Sequence, residues 1–369
     1  MFNHLINRSP SLGKLTAPMS ILATAFFLLF TAQIVAFEID VDATISDSDS
    51  TLMGVNHIAL SVRDLDASLA FYQSATGFEV VRREVVRSSS AADKLYGREG
   101  VEYEVAVLEA PNMLLELTEF SHNRDTPISK MPVIGPGMTH TCFQSPSHIS
   151  GYHKFKNAGA EMVSRGDGPV DLLGQGVTYA YAYDPEGNMI ELEQLDFGNL
   201  GRDPRKSEWI EQGLDLWMTQ VALVTHDIER LTEYYAKIMG FNAYRTADVS
   251  GRQTFDDATA IDDVSLRVVF FRMAERTKSM EFWEYVSPET PEFSGNRDST
   301  ALGYTYSLEV GDIQAEYARM TDLGVQFVSE PVLMGNYWQV HANDIDGNVF
   351  ALRQWVDSNS PWSVPNLEQ

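Results

Sequence analysis

Cysteine is nearly absent: Cys142 is the single one in 369 residues. An intrachain disulfide is therefore excluded, and the fold must rest on packing alone. Cys142 sits in THTCF beside His140 with no activating partner nearby in sequence, so it reads as a small strand residue rather than a nucleophile. Basic residues are scarce too. Lys and Arg number 27 against 52 Asp and Glu, for a formal charge of −25. An excess of that size repels nucleic acid and anionic membrane surfaces. One long apolar run stands out, SILATAFFLLFTAQIVA at 20–36, preceded by Arg8 and Lys14 and followed by an acidic leader. Residues 1–36 thus read as a secretory signal cut before Phe37, with an uncleaved membrane anchor as the alternative. The expected location is periplasmic or secreted, and membrane contact is expected only if the segment stays on.

What remains is rich enough to fold. With 44% apolar and 21% charged residues, the chain has the length and composition for two or three domains. After a flexible acidic linker at 37–52, HIALSV alternates as a strand. DLDASLAFYQSATGF then reads as a helix opened by Asp64, with Leu65, Leu69 and Tyr72 on one face. EVVRREVV, VEYEVAVLEA and NMLLELTEF follow as strands, completing a β-α-β-β-β module. MTHTCF, HISGYHKFKNAGAEMV, VTYAYAYD and NMIELEQL restart the cycle. Beyond a polar connector at 199–213 the whole arrangement returns. TQVALVTHDIERLTEYYAKIMGF parallels NHIALSVRDLDASLAFYQSATGF, SMEFWEYV parallels MLLELTEF, and DIDGNVFALRQ parallels DPEGNMIELEQ. The fold class is α+β: two tandem domains, 53–198 and 214–357, each a pair of modules, with a tail at 358–369.

Candidate chemistry concentrates in the first domain. His57 and Glu116 lie on the first and last strands of module one, and His140 and Glu191 on those of module two. If the modules of one domain pair, all four side chains meet in one cleft. Two imidazoles and two carboxylates suit a single divalent metal with open positions, Zn, Ni, Co, Mn or Fe. The matching positions of the second domain hold Gln220, Glu281, Tyr306 and Ala351, so that domain is expected to be a degenerate copy.

At this point the chain resembles the vicinal oxygen chelate superfamily, which includes glyoxalase I, extradiol dioxygenases and methylmalonyl-CoA epimerase. The resemblance covers nearly everything from Met53 to Val356, with DPEGNMIEL as its sharpest segment. It implies paired modules forming a curved, half-open mixed sheet around a metal, with His57, Glu116, His140 and Glu191 as ligands. It also implies lyase or isomerase/epimerase chemistry on a small oxygenated substrate. In that chemistry a metal steadies an enediolate while a carboxylate moves a proton, Glu191 as base and Glu116 beside it. Extradiol dioxygenases usually add a His on the strand before D-P-x-G, and LLGQGVTYAYAYDPEG contains none. Glutathione as co-substrate fits poorly, because ELTEFSHNRD departs from the family continuation. An Fe(II) dioxygenase and a non-catalytic binding protein of the bleomycin-resistance kind are the alternatives. Tyr181 and Arg98 are further candidates for substrate contact, and a homodimer is compatible with the family.

Overall fold

The structure, a computed structural model, describes residues 37–39, 49–172, 174–274 and 278–367. The signal at 1–36 and most of the linker lie outside the described residues. Among the described residues no helix is long and apolar enough to cross a membrane.

After a short strand β1 (Phe37–Ile39), four modules follow in order. The first is β2 (Leu52–Val62), α1 (Leu65–Thr76), β3 (Glu79–Val86), α2 (Ser90–Tyr96), β4 (Tyr103–Glu109) and β5 (Leu114–Phe120). The second is β6 (Gly137–Pro146), α3 (Gly151–Ala158), β7 (Glu161–Met162), β8 (Val170–Asp171), β9 (Val177–Tyr183) and β10 (Met189–Leu195). The connector forms α4 (Phe197–Leu200) and α5 (Pro204–Glu211). The third module is β11 (Trp217–Val224), α6 (Ile228–Met239), β12 (Arg245–Ser250), α7 (Gln253–Thr259), β13 (Ser265–Ala274) and β14 (Lys278–Ser287). The fourth is β15 (Gly303–Val310), α8 (Ile313–Asp322), β16 (Gln326–Phe327), β17 (Val332–Met334), β18 (Tyr337–Asn343) and β19 (Val349–Trp355), before a final turn α9 (Val364–Leu367).

Local chemistry repeats with the modules. Asp64, Asp227 and Asp312 cap α1, α6 and α8 by accepting backbone N–H groups of the first turn, and Ser150 does so for α3. The D-P-E-G and D-I-D-G turns have a structural purpose. Asp184 Oδ1 accepts from the amides of Glu186 and Asn188 at 2.9 and 2.8 Å, while Oδ2 accepts from the Tyr72 hydroxyl at 2.8 Å. Asp344 repeats each of these bonds with Asp346, Asn348 and Tyr235. The sharpest sequence motif of the chain therefore locks a turn onto a helix.

Pairing of the modules differs from the expectation. One sheet, here sheet A, runs β1-β12-β13-β14-β11-β6-β10-β9-β7, with β8 on β9. The other, sheet B, runs β16-β18-β19-β15-β2-β5-β4-β3, with β17 on β18. Modules two and three share sheet A across an antiparallel β6–β11 seam, and modules one and four share sheet B across β2–β15. Each sheet thus draws on both halves of the chain. The sequence-adjacent modules instead meet back to back. Leu60, Leu117, Phe143, Leu192, Met218, Phe282, Tyr306 and Leu352 from the two sheets join helices α1, α3, α6 and α8 in one apolar core. Removing that surface from water is the main drive for the arrangement.

Each sheet turns its other face into a cup, and the two cups differ in content. The cup of sheet A encloses a cavity of about 590 Å³. That of sheet B retains about 20 Å³, because Tyr96 of α2, Tyr337, Trp355 and Leu367 of the C-terminal turn pack into it as part of an apolar cluster.

Candidate functional site

The cross-half pairing divides the predicted quartet. His57 and Glu116 belong to sheet B, His140 and Glu191 to sheet A, so the expected single cleft containing all four does not form. In its place, sheet A sets His140 and Glu191 against Gln220 and Glu281. These last two are the residues that the sequence reading assigned to a degenerate copy.

Register explains the meeting. Across β14, β11 and β6, Glu281 stands opposite Ala222 and Ala222 opposite His140, while Gln220 lies two residues along β11 on the same face. Glu191 lies on β10, next to β6 and opposite Cys142. The four candidates therefore occupy four adjacent strands about the seam, and Gln220, Glu191 and Glu281 line the cavity. His140 Nε2 lies 3.9 Å from Glu191 Oε2, and the Gln220 amide donates to the same oxygen.

The corresponding row of sheet B reads Glu116, Ala59, Thr305. The structural counterpart of His140 is therefore Thr305, rather than Tyr306. A register shift in the β6–β11 ladder, between the Ala222–His140 and Leu223–Met138 pairs, accounts for the one-residue difference. Tyr306 instead points into the core and shares a hydrogen bond with the Tyr235 hydroxyl. Ala351 stands where sheet A has Glu191, so sheet B lacks two of the four donors.

Electrostatics separate the cups further. In sheet B the Arg353 guanidinium lies 3.3 Å from Glu116 Oε2 and donates to Gln339 Oε1 at 2.9 and 2.6 Å. It also sits 4.2 Å from the centre of the Tyr337 ring. Burial alone would raise the Glu116 carboxyl, but Arg353, followed by His57 and Arg82, holds it down at about 2. His57 is kept neutral by burial and by the Arg353 charge, and its Nδ1 lies 3.0 Å from Asn56 Oδ1. His341 is buried and stacks on Tyr96 with ring centres 5.0 Å apart. This cup carries its own cation.

The cup of sheet A has the opposite imbalance. Burial raises the Glu191 carboxyl well above its ordinary range, and the nearby charges of Glu281 and Glu193 push it further. Glu281 is lifted to about 7 by burial, against the pull of Arg245. Burial depresses His140 to about 3, so the ring is neutral. Its Nδ1 lies 3.0 Å from Thr139 Oγ1, and its buried Nε2 has no hydrogen-bond partner. Two buried carboxylates, an imidazole with an unused nitrogen and a side-chain amide form a donor set short of one positive charge. Among the described residues, no three His, Cys, Asp or Glu side chains are placed to hold a metal ion as they stand. Protein donors, Gln220 to Glu191 and Ser279 to Glu281, satisfy the oxygens instead. By donor chemistry a divalent metal fits: rotation of the Gln220 amide would present its oxygen, and the unpartnered His140 nitrogen supplies the second donor type.

The remaining candidates are placed as follows. Tyr181 packs edge-on against His140 with ring centres 5.2 Å apart, supporting the imidazole. Arg98 is half exposed, 3.7 Å from the Asp298 carboxylate, and is not among the residues lining either cup. Cys142 is buried, and burial raises its thiol well above the ordinary range, as expected of a packing residue. Sequence reasoning missed Glu193, which lines the cavity two residues beyond Glu191 and accepts from the Gln144 amide. It also missed the connector, whose α5 brings Lys206 to the cavity wall. Alternation along NMIELEQL carried the first of these signals; the connector carried none.

The chain belongs to the Glyoxalase/Bleomycin resistance protein/Dioxygenase superfamily, whose sequence model matches residues 54–192 and again 217–352. For particular relatives, the chain is similar to an ethylmalonyl-CoA/methylmalonyl-CoA epimerase of Cereibacter sphaeroides, 27% identical over 143 residues, which cover 38% of this chain and 97% of the epimerase. Among solved structures it is similar to a mutant of glyoxalase I from Zea mays, with 19% identity, a TM-score of 0.52 and coverage of 82% and 93% of the two chains. It is also similar to a putative dioxygenase from Bacillus subtilis, with 11% identity, a TM-score of 0.53 and coverage of 84% and 87%. At these identities the structural likenesses establish the fold.

Proposed function

We propose that this protein is a metal-dependent enzyme of the lyase or isomerase/epimerase type, acting on a small oxygenated substrate in the cup of sheet A. One observation carries the reading: Gln220, Glu281 and Glu191 line a cavity of about 590 Å³, and the unpartnered His140 Nε2 lies 3.9 Å from Glu191 Oε2. Those four residues would hold one divalent ion, of Zn, Ni, Co, Mn or Fe character. When bound, that ion supplies Lewis acidity to vicinal substrate oxygens.

The chain's own residues supply the rest. Glu191 and Glu281 come from strands on opposite sides of the seam, flanking the cavity from two directions. A carbon acid lodged between them can lose a proton to the Glu191 carboxylate on one side and regain one from Glu281 on the other. Glu281 thereby takes the place that the sequence reading assigned to Glu116. In the metal-free chain burial raises both the Glu281 and the Glu191 carboxyls, so each holds a proton more readily than an exposed carboxylate. Tyr179, Phe255, Phe270 and Trp283 line the cavity and restrict water around both carboxylates.

Elemental analysis of the purified chain tests the reading. About one equivalent of divalent metal per chain is expected, lost in His140→Ala and Glu281→Gln and kept in His57→Ala. Metal that follows His57 instead would move the site to sheet B. Bound iron with oxygen uptake would replace the reading with the dioxygenase alternative. A chain that takes up no metal on reconstitution would be a small-molecule binding protein.

A further inference from the structure

The connector between the halves turns a lysine inward. On α5 the buried face is set by Trp209, which packs on Trp217 with ring centres 5.4 Å apart and joins Leu195 and Leu200 in a small apolar cluster. Lys206 precedes Trp209 by three residues, so helix geometry turns both the same way, and both are buried. The Lys206 ammonium lies over the Trp217 ring, 5.9 Å from its centre, and the residue lines the cavity of sheet A. Among the described residues no carboxylate oxygen lies within 4.0 Å of this ammonium, and no acceptor takes a hydrogen bond from it. Burial lowers the group below its ordinary range, against the pull of Glu193 and then Asp203. A lysine is seldom buried without a partner, because its desolvation then goes uncompensated.

Glu193 faces the same cavity with spare capacity of the opposite kind. One row of sheet A reads Glu193, Gln144, Trp217. The Trp217 indole donates to Gln144 Oε1 at 2.7 Å, and the Gln144 amide donates to Glu193 Oε2. That relay fixes the carboxylate but uses only one of its oxygens, the same one that lies 3.9 Å from the Cys142 sulfur. Glu193 Oε1 accepts no hydrogen bond from any described residue. One wall of the cup therefore offers an unused donor and an unused acceptor of opposite charge that do not touch each other.

The closed cup provides an internal comparison. The chain that follows its last strand, β19, returns as α9, and Leu367 joins the apolar cluster that fills the cup. The segment after module two thus brings a lysine to its cup, and the segment after module four brings a leucine.

We propose that Lys206 and Glu193 together bind a carboxamide of the substrate, whose carbonyl oxygen accepts from Lys206 while its N–H donates to Glu193 Oε1. A carboxylate on Lys206 would meet the charge of Glu193, and an ammonium on Glu193 would meet that of Lys206. A neutral group with an acceptor and a donor on one edge meets neither penalty. Glu193 and Glu191 lie two residues apart on the same face of β10, a spacing of about 7 Å, so the amide belongs to the same small molecule as the reacting centre. Phe270 and Trp283, on β13 and β14 across the seam, leave an apolar side for the remainder of that molecule. The proposal rests on the cup of sheet A being the active site, and it narrows the substrate class to oxygenated compounds that carry an amide.

Calorimetric titration of the full chain with phenylacetamide, phenylacetate and phenethylamine tests it, in zinc-loaded protein and in protein stripped with chelator. The three probes share a ring and differ in the group they offer to the pair. Phenylacetamide should bind saturably to both forms, more tightly than the acid or the amine. Lys206→Met and Glu193→Gln should each weaken amide binding about tenfold or more, with circular dichroism unchanged. The order of the charged probes should also cross over: Lys206→Met favours the amine and Glu193→Gln the acid, which a purely structural role would not produce. Lys206→Gln, which keeps a donor, should retain part of the amide affinity, and it replaces the methionine variant if that one does not fold. Absence of saturable amide binding overturns the proposal, as does a wild type that prefers the acid or the amine, or amide affinity unaltered in the variants. Amide binding that vanishes on chelation would show the metal as the receptor and overturn it too. Amide binding that depends on both residues in a chain taking up no zinc would support the pair while removing the metal reading.

Discussion

Glu193 and Arg353 occupy the same register position of the two sheets, each two residues beyond the last candidate ligand position. In the open cup the residue is a carboxylate held by the Gln144 amide; in the closed cup it is a guanidinium 3.3 Å from Glu116 Oε2. At this one position the two sheets carry opposite charge, a carboxylate two residues from Glu191 in the open cup and a guanidinium beside Glu116 in the closed one.

Arg353→Met should therefore destabilise the protein strongly. It leaves the buried Glu116 carboxylate without its counterion, a type of loss that typically costs about 3–5 kcal/mol. Adding Glu116→Gln should recover most of it, because the uncompensated charge is then gone. Urea unfolding of the single and double variants measures both. A double variant no more stable than Arg353→Met would show that packing of the guanidinium on Tyr337, rather than its charge, is what matters.

The reverse exchange should silence the open cup. Glu193→Arg places a guanidinium beside Glu191 and Glu281 and should lower metal affinity by at least about tenfold, since one counterion then does the work of another. Glu193→Gln should retain metal. Metal titration with circular dichroism as a folding control checks the pair, and equal metal affinity in the two variants would contradict the charge argument.

Asp344 supplies a pH signature away from either cup. Burial lifts its carboxyl from the ordinary 3.8 to about 6, only partly offset by hydrogen bonds from Asn348 and Tyr235. The folded state then holds this proton more tightly than the unfolded state. Its contribution to stability is greatest below about 4, falls as pH rises towards 6 and is flat beyond, a change of roughly 3 kcal/mol. The difference in unfolding free energy between wild type and Asp344→Asn should follow that curve from pH 4 to 7. A constant difference would show that Asp344 is ionised in the folded protein throughout.

Much of the architecture was legible in the sequence. Alternating strands, aspartate caps and the four-fold recurrence of the module are local features, and each has a local cause. The D-P-E-G turns were visible for the same reason, although their bonds to Tyr72 and Tyr235 show them to be structural. The partnership of modules was not legible. Pairing one with two or two with three leaves every strand with the same alternation, and only the buried seams distinguish the schemes. Gln220 and Glu281 were accordingly placed in register correctly but assigned to the wrong neighbours. The β6 register shift then moved the counterpart of His140 from Tyr306 to Thr305, a shift that an ungapped comparison of repeats cannot register. Lys206 was hidden because a polar connector offers no periodicity to read, and its relevance arises only from where α5 lands.

The division of each half between both sheets has a consequence for inheritance. In a symmetric pair of identical chains, any mutation appears in both cups at once, so neither can change without the other. Here the paired modules are covalently joined copies with separate codons. A substitution such as the arginine at 353 therefore reaches one cup and spares its counterpart, so one could fill with side chains while the other kept its opening. Neither half, however, can leave with a whole cup: His140 and Glu191 lie before the connector, Gln220 and Glu281 after it. The fused chain gained freedom to differ internally and gave up the freedom to divide.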